Sequence, residues 1–379
     1  MARRSNGEGS IYRRDNGTWI GTISFSRNED GSFKRKSFSG KTKTELLQKM
    51  DVFKSTLINN SYLEPNKVTV KQWLNDWLVN YKSIKLKPTT YDCYETYITK
   101  TICPAIGDIL LQDLKPETIQ SFYNKTYGQG GNVSSATMRK IHVILKSSLN
   151  QALTNGLLIK NPANKPELPS INKREIKAFT SEEQKTFEEF AKEYRLYPFF
   201  ITNLDTGLRM GELIALTWDD VDFEKKQLTV NKNVVLAIDR KKVDTTKKGL
   251  IPQSSTKTEN GKRVIPLSKR VLIILKELKL RQQVLSNIVF CNQYGGYLFP
   301  RNVERAFQKI ISKAEIKKCN VHTCRHSFAT RLFENNVSAK TISELLGHSS
   351  IGVTLNIYAH VLPNMKVEAV KILDSINSK

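Results

Sequence analysis

No apolar run in these 379 residues approaches the roughly 18 that a bilayer-spanning helix needs, so the sequence excludes a helical membrane protein. The opening Met1-Ala-Arg-Arg-Ser-Asn-Gly7 has no apolar stretch behind it, and no secretory leader is expected. Cysteine is scarce and odd in number: Cys93, Cys103, Cys291, Cys319 and Cys324 stand apart in apolar or helical-looking surroundings. That pattern argues against a disulfide framework and for a reduced, cytoplasmic protein. Neither a paired CxxC nor an HExxH occurs, so the two plainest zinc signatures are missing. Internal repeats and long low-complexity tracts are missing too. Acid is in deficit, with 36 Asp and Glu against 60 Lys and Arg, a formal net charge of +24. A balance of that size favours a polyanionic partner, and duplex DNA is the densest common one. The plainer alternative is a basic soluble protein, because charge speaks to partners and not to fold.

Histidine is also rare, yet four of the five fall in the last 58 residues. They lie in His322-Thr-Cys-Arg325-His326, in Leu346-Gly347-His348, and at His360, two residues beyond Tyr358. A second arginine precedes them in Thr206-Gly-Leu-Arg209-Met-Gly-Glu212-Leu213. Arginines, imidazoles and a tyrosine in a basic protein suit attack by a phenolate oxygen on a phosphodiester. That reaction needs cations on the non-bridging oxygens, a nucleophile, and an acid for the leaving oxygen. Arginine meets the first need because its planar fork reaches two phosphate oxygens and stays charged. Arg209 follows Gly207 at an apparent helix start, where backbone N–H groups also favour an anion. Glu212 can brace it, or the two can form an ordinary surface pair. His322 and Arg325 are three apart and share a helix face, and His326 can join them or serve as a buried structural residue. A zinc reading of His322 and His326 with Cys319 and Cys324 fails because Thr323 stands where HExxH needs glutamate.

The rest of the chain divides into three segments. Residues 1–60 open with short alternating runs, Ser10 to Arg14, Thr18 to Phe25 and Phe33 to Phe38, split by Asp15-Asn-Gly17 and Glu29-Asp-Gly31. These predict a three-stranded antiparallel sheet followed by a helix from Lys43 to Asn59. One face is expected to carry Tyr12, Trp19 or Ile20, and Phe38. The other is expected to carry Arg13, Arg14, Lys34, Arg35 and Lys36, as a DNA-contacting face or as a solvated one. Residues 64–165 read as helical: Val70 to Leu78, a helix opened by Pro88, Leu114 to Phe122, and Ser134 to Asn155. Lys87 and Lys140 are candidate phosphate contacts there, together with Lys82, Lys85, Lys100 and Lys146. A proline-punctuated linker, Asn161 to Glu175, leads into residues 175–379. In that segment Thr180-Ser-Glu-Glu183 is a helix start, and strands are expected at Leu228, Val234 and Arg263-Val-Ile-Pro-Leu267. The whole predicts a multidomain α+β protein.

Thr206-Gly-Leu-Arg209-x-x-Glu212-Leu, His322-x-x-Arg325-His-Ser-Phe-Ala-Thr330, Leu345-Leu-Gly-His348 and Tyr358 together resemble the tyrosine recombinase family, in the right order and throughout the third segment. The helical segment resembles that family's core-binding domain, and the N-terminal sheet resembles the arm-binding domain of integrases from phages and conjugative transposons of Gram-positive bacteria. The resemblance implies that Tyr358 is the nucleophile that forms a 3′-phosphotyrosine. It implies that Arg209 and Arg325 hold the scissile phosphate and that His322 and His348 assist. A hairpin lysine acts as acid in this family; Ser255-Thr-Lys257-Thr-Glu-Asn-Gly-Lys262-Arg matches that hairpin, with Lys257 preferred over Lys262. Residues 237–253, rich in Lys and Arg, read as an insertion that either makes DNA contacts or forms a loop.

Val367, Val370, Leu373 and Ile376 give the tail an apolar helical face, which packs on its own domain or, by the resemblance, on a neighbouring protomer. The implied partners are double-stranded DNA with arm and core sites, a homotetramer on that DNA, an excisionase and a DNA-bending protein, with no metal or other cofactor. Two other functions share features with this reading. A type IB topoisomerase-like enzyme would use the same residues, and a non-catalytic DNA-binding regulator would use Ser338 to Tyr358 as a helix-turn-helix.

Overall fold

The computed structural model describes residues 9–27, 30–59, 62–127, 133–170, 177–240, 246–254, 262–358 and 374, with Asn356, Ile357 and Tyr358 placed by the helix that holds them. Lys257, His360 and the tail residues Val367, Val370, Leu373 and Ile376 lie outside the described residues. The chain divides into two compact units, 1–86 with 93–172, and 87–92 with 173–379.

The first unit begins with an antiparallel sheet in the order β1 (Ser10–Arg13), β2 (Trp19–Arg27), β3 (Phe33–Gly40). Gly17 and Gly31, both at positive φ, stand in the two turns that the sequence predicted. Helix α1 (Lys43–Ile58) follows, with Thr42 as its cap. It covers one face of the sheet, burying Leu46, Met50 and Phe53 against Ile23, with Trp19, Phe25 and Phe38 around them.

The expected division of the sheet faces is corrected here. Tyr12 pairs with Ile20 and is exposed, so it lies on the open face and not over the core. Lys36 stands opposite Ile23, and its ammonium lies 4.6 Å from the Phe53 ring centre and 4.8 Å from that of Tyr62. Lys34 bonds both carboxylate oxygens of Glu64, at 2.6 and 2.7 Å. Arg35 is exposed on the open face opposite Ser24, Arg13 pairs with Trp19, and Arg14 lies exposed in the turn. The reason is the period of two along a strand: Lys34, Arg35 and Lys36 cannot share a face.

The helical part of this unit starts at α2 (Val70–Trp77), opened by a reciprocal cap between Thr69 and Gln72, and continues through a wider π-type stretch, Leu78–Lys82. Helix α3 (Pro88–Tyr97), whose first residues belong to the second unit, passes through another π-type stretch, Ile98–Ile102, into α4 (Cys103–Ile106). Then come α5 (Pro116–Tyr127) and α6 (Ser135–Thr154). Trp73 donates its indole N–H to the Ser148 carbonyl at 3.0 Å, which satisfies a polar group inside an otherwise apolar core.

The second unit holds α7 (Ser181–Ala191), α8 (Tyr197–Thr206), α9 (Met210–Ala215), the strands β4 (Val221–Asp222), β5 (Gln227–Val230), β6 (Lys232–Ile238), β7 (Lys248–Ser254) and β8 (Arg263–Pro266), then α10 (Lys269–Arg281), α11 (Pro300–Lys313), α12 (His322–Glu334), α13 (Ala339–Leu346) and α14 (Ile351–Tyr358). The sheet order is β4-β5-β8, and β6 pairs with β7 as a separate ribbon. Both described ends of the segment 237–253 are strand: Ala237 and Ile238 finish β6, and Lys248 onward forms β7. Lysines and Pro252 hide this strand in the sequence, but a two-stranded ribbon has a free edge on each strand that tolerates proline.

Phe187, Phe199, Phe200 and Phe307 centre the main core, while Ala329, Phe333, Ile342 and Leu346 pin α12 to α13. Among the described residues no helix is long and apolar enough to cross a membrane.

Candidate active site

Two helix ends and a helix start create the frame. Helix α8 stops at Gly207 and α13 at Gly347, each in the left-handed region at φ 61° and 63°. Glycine takes that conformation without the steric cost that a Cβ brings. Arg209 caps the start of α9, and its backbone N–H donates to Glu212 Oε2 at 2.9 Å. The last carbonyls of a helix lack internal partners and carry partial negative charge. At the end of α13 three successive carbonyls each receive an arginine. Arg263 Nε donates to Leu345 O at 2.8 Å, Arg325 Nη2 to Leu346 O at 2.7 Å, and Arg209 Nη2 to Gly347 O at 3.2 Å. Arg325 Nη1 also reaches the Gly207 carbonyl at 2.7 Å, joining the ends of α8 and α13.

The three guanidinium groups differ in exposure. Arg325 is 2% exposed, the Arg263 side chain 7%, and the Arg209 side chain 43%. Glu212, itself buried, is shared by two of them. Arg263 bonds both its oxygens, at 3.2 and 2.7 Å, and Arg209 Nη1 bonds Oε1 at 2.9 Å. Burial alone raises the Glu212 carboxyl, but the hydrogen bond and charge of Arg263, with the charge of Arg209, outweigh it and hold the group down at about 2.

The imidazoles surround this frame. His322 is the first residue of α12, its backbone N–H satisfied by Asn320 Oδ1 at 3.0 Å. His326 is one turn on, its ring edge-to-face with that of His322 at 4.7 Å between centres. His348 follows Gly347, and its Nδ1 lies 2.7 Å from the buried hydroxyl of Thr354 in α14. Burial first, then the charges of Arg325 and Arg209, pushes the His322 imidazole down to about 4. The same causes bring His348 to about 4, with Arg263 adding to them. Burial, His322 and Arg325 push His326 to about 3. All three rings are thus neutral at pH 7, able to donate and accept a hydrogen bond.

Of the residues singled out in the sequence, Arg209, His322, Arg325 and His348 come together. Tyr358 is the last residue of α14, one helical turn beyond Thr354. Lys257 lies outside the described residues, whereas Lys262 is exposed just before β8. Arg13, Arg14, Lys34, Arg35, Lys36, Lys87 and Lys140 take no part in the cluster, and of these Arg13, Arg14, Arg35, Lys87 and Lys140 are exposed. Among the described residues no group of three or more His, Cys, Asp or Glu is arranged to hold a metal ion.

Sequence reasoning missed Arg263. The signal was present in β8, because alternation puts Arg263 on the same face as buried Ile265 while Val264 is half exposed. A basic residue on the inward face of a strand needs an acidic partner. The cluster as a whole offers cationic and neutral donors at an exposed edge backed by fixed dipoles, which suits a tetrahedral oxyanion.

Two family models match the chain. "Phage integrase family" matches residues 170–365, and "Phage integrase, N-terminal SAM-like domain" matches residues 69–127. Among relatives, a protein named tyrosine recombinase XerC-like from Caldanaerobacter subterraneus subsp. tengcongensis is 34% identical over 94% of this chain and 95% of its own length. An integrase of Staphylococcus phage L54a is 26% identical over 85% of this chain and 97% of its own. Among solved structures, the Tn1549 transposon integrase in complex with a circular intermediate DNA superposes with a TM-score of 0.69 at 21% identity, covering 80% of this chain and 99% of that one. A lambda integrase tetramer bound to a Holliday junction gives a TM-score of 0.59 at 20% identity over 90% and 95%.

Proposed function

This chain belongs to the phage integrase family of tyrosine recombinases, and we propose that it is a site-specific DNA integrase that cuts and rejoins strands through a covalent 3′-phosphotyrosine, integrating and excising a mobile element. The observation that carries this reading is the pairing of buried Arg325 with half-exposed Arg209 on one helix end, beside the neutral rings of His322 and His348.

In the forward step the phenol oxygen of Tyr358 attacks phosphorus, and its proton passes to a neutral imidazole or to water. The bond from phosphorus to the 5′-oxygen breaks, and that oxygen leaves with a proton from Lys257. Arg209 and Arg325 neutralise the non-bridging oxygens as charge builds, an effect worth several kcal/mol in a partly dehydrated site. The fixed hydrogen bonds of Arg325 mean that little reorganisation accompanies that charge. Neutral His322 and His348 bond the same oxygens and move protons without competing for positive charge. The phosphotyrosine retains the energy of the broken ester, so the 5′-hydroxyl of another strand reverses the step with no nucleotide or metal consumed.

The division of labour along the chain is arm-type DNA binding by 1–60, core-site binding by 64–165 and catalysis by 175–379. The partners are attachment-site DNA, three further copies of this chain, an excisionase and a bending protein, in the cytoplasm of a bacterial host. The test is strand exchange between two duplexes bearing the element and target sites. Recombinant products, absent in Tyr358→Phe, support the reading. Plasmid relaxation without recombinants points instead to a topoisomerase-like activity, and specific binding with neither product points to a regulator.

A further inference from the structure

Arg263 is the third arginine of the cluster, and no contact with the phosphate is assigned to it in the reaction proposed above. Its side chain is almost fully buried, and each of its three nitrogens is engaged: Nη1 and Nη2 on the two oxygens of Glu212, and Nε on the Leu345 carbonyl. Glu212 in turn bonds both the backbone N–H and the guanidinium of Arg209. One carboxylate therefore ties β8 to the start of α9, and one guanidinium ties that carboxylate to the end of α13, from which His348 emerges. A Cβ on Gly347 would sit 2.9 to 3.2 Å from the Arg263 guanidinium, so the turn carrying His348 rests directly on this side chain.

Without Arg263, Glu212 would be a buried carboxylate whose one remaining cationic partner among the described residues is Arg209, and such a charge recruits whatever cation can reach it. Arg209 would turn inward to supply both oxygens. With Arg263 in place Glu212 is satisfied from the far side, and Arg209 spends two of its five N–H donors on the protein, one on Glu212 and one on Gly347.

We propose that Arg263 is a positioning residue for the cleavage step: by clamping Glu212 and the last turn of α13, it sets Arg209 so that the remaining donors of its fork face the scissile phosphate. This rests on the integrase reading given above. Arg263 touches no reacting atom, and its effect passes through Arg209 and the His348 turn.

The experiment compares the full-length protein with Arg263→Lys and Glu212→Gln. Lysine keeps the charge but not the planar fork, and glutamine keeps the shape of the buried side chain without the charge. Three quantities are read: melting temperature, affinity for uncleavable core-site DNA, and the single-turnover rate of covalent adduct formation on a nicked core site. The adduct rate is read with a natural scissile phosphate and with a methylphosphonate in its place, which lacks one anionic oxygen. Both variants should bind DNA within about threefold of the parent and lose at least about tenfold in adduct rate on the natural phosphate, a difference of about 1.4 kcal/mol in barrier. The loss should shrink to less than about threefold on the methylphosphonate, where the charge that Arg209 neutralises is gone. A loss of equal size on both substrates, or adduct rates within twofold of the parent, overturns the proposal. A parent that makes no adduct overturns the integrase reading itself. A melting temperature lowered in Arg263→Lys alone leaves the decision to Glu212→Gln, which is subject to the same two criteria.

Discussion

His322, His326 and His348 are kept neutral by burial and by the arginines among them, and that has a measurable consequence for stability. Their folded values, about 4, 3 and 4, lie below the 6.5 of a free imidazole. Between those limits the unfolded chain binds more protons than the folded one, so stability falls as pH is lowered from about 6.5 towards 4. Glu212 acts in a lower window. Its depressed carboxyl contributes stability above 4.5 that is lost as pH falls towards about 2. Urea titrations at pH 7, 6, 5 and 4 should therefore show a progressive drop, smaller in His326→Gln; a flat profile contradicts neutral histidines.

A second expectation at this scale concerns Gly347. Alanine there must adopt φ 63° and press a methyl group on Arg263, so Gly347→Ala should cost at least about 1–2 kcal/mol by denaturant unfolding. The sequence made Arg209, His322, Arg325 and His348 legible because each sits in a dense motif. Arg263 was hidden because its partner Glu212 lies 51 residues away and only folding brings them together.

Elements were readable wherever period and caps agreed. The helix from Ser134 to Asn155 emerged with those residues as its caps, and Thr180 and Glu183 form the reciprocal cap that their spacing predicts. Thr180→Ala should lower stability by about 1 kcal/mol in equilibrium unfolding, and no change would contradict the role of that cap. The sheet faces differ from the expectation because a run of basic residues reads as one surface in the sequence, whereas strand alternation divides it. Lys36 packs over Phe53 and Tyr62, while Arg35 faces out. Lys36→Ala should lower stability by about 0.5–2 kcal/mol, whereas Arg35→Ala should leave stability alone and weaken arm-site DNA binding. Electrophoretic mobility shifts together with thermal melts separate the two, and equal effects on both quantities would contradict the assignment of faces. Strand β7 was missed because its lysines and Pro252 look like a loop, and only its register with β6 reveals it.

For the whole molecule, the charge of +24 and the proposed catalytic cluster make separate demands on DNA. Charge governs how tightly the chain holds any duplex, so the affinity of the full protein should fall steeply and log-linearly with salt, and less steeply once residues 1–60 are removed. The cluster belongs entirely to the second unit, so the same truncation should leave cleavage at a core site in place. The proposed nucleophile is Tyr358, at the end of α14, acting in a site built by Arg209, His322, Arg325 and His348. A core-site duplex nicked just beyond the scissile phosphate traps that step, because the short leaving strand diffuses away before it can rejoin. The expected result is a protein–DNA adduct that survives denaturation, maps to a peptide containing Tyr358, and disappears in Tyr358→Phe while DNA binding persists. An adduct that remains in Tyr358→Phe, or none with the intact protein on its own attachment site, would contradict it.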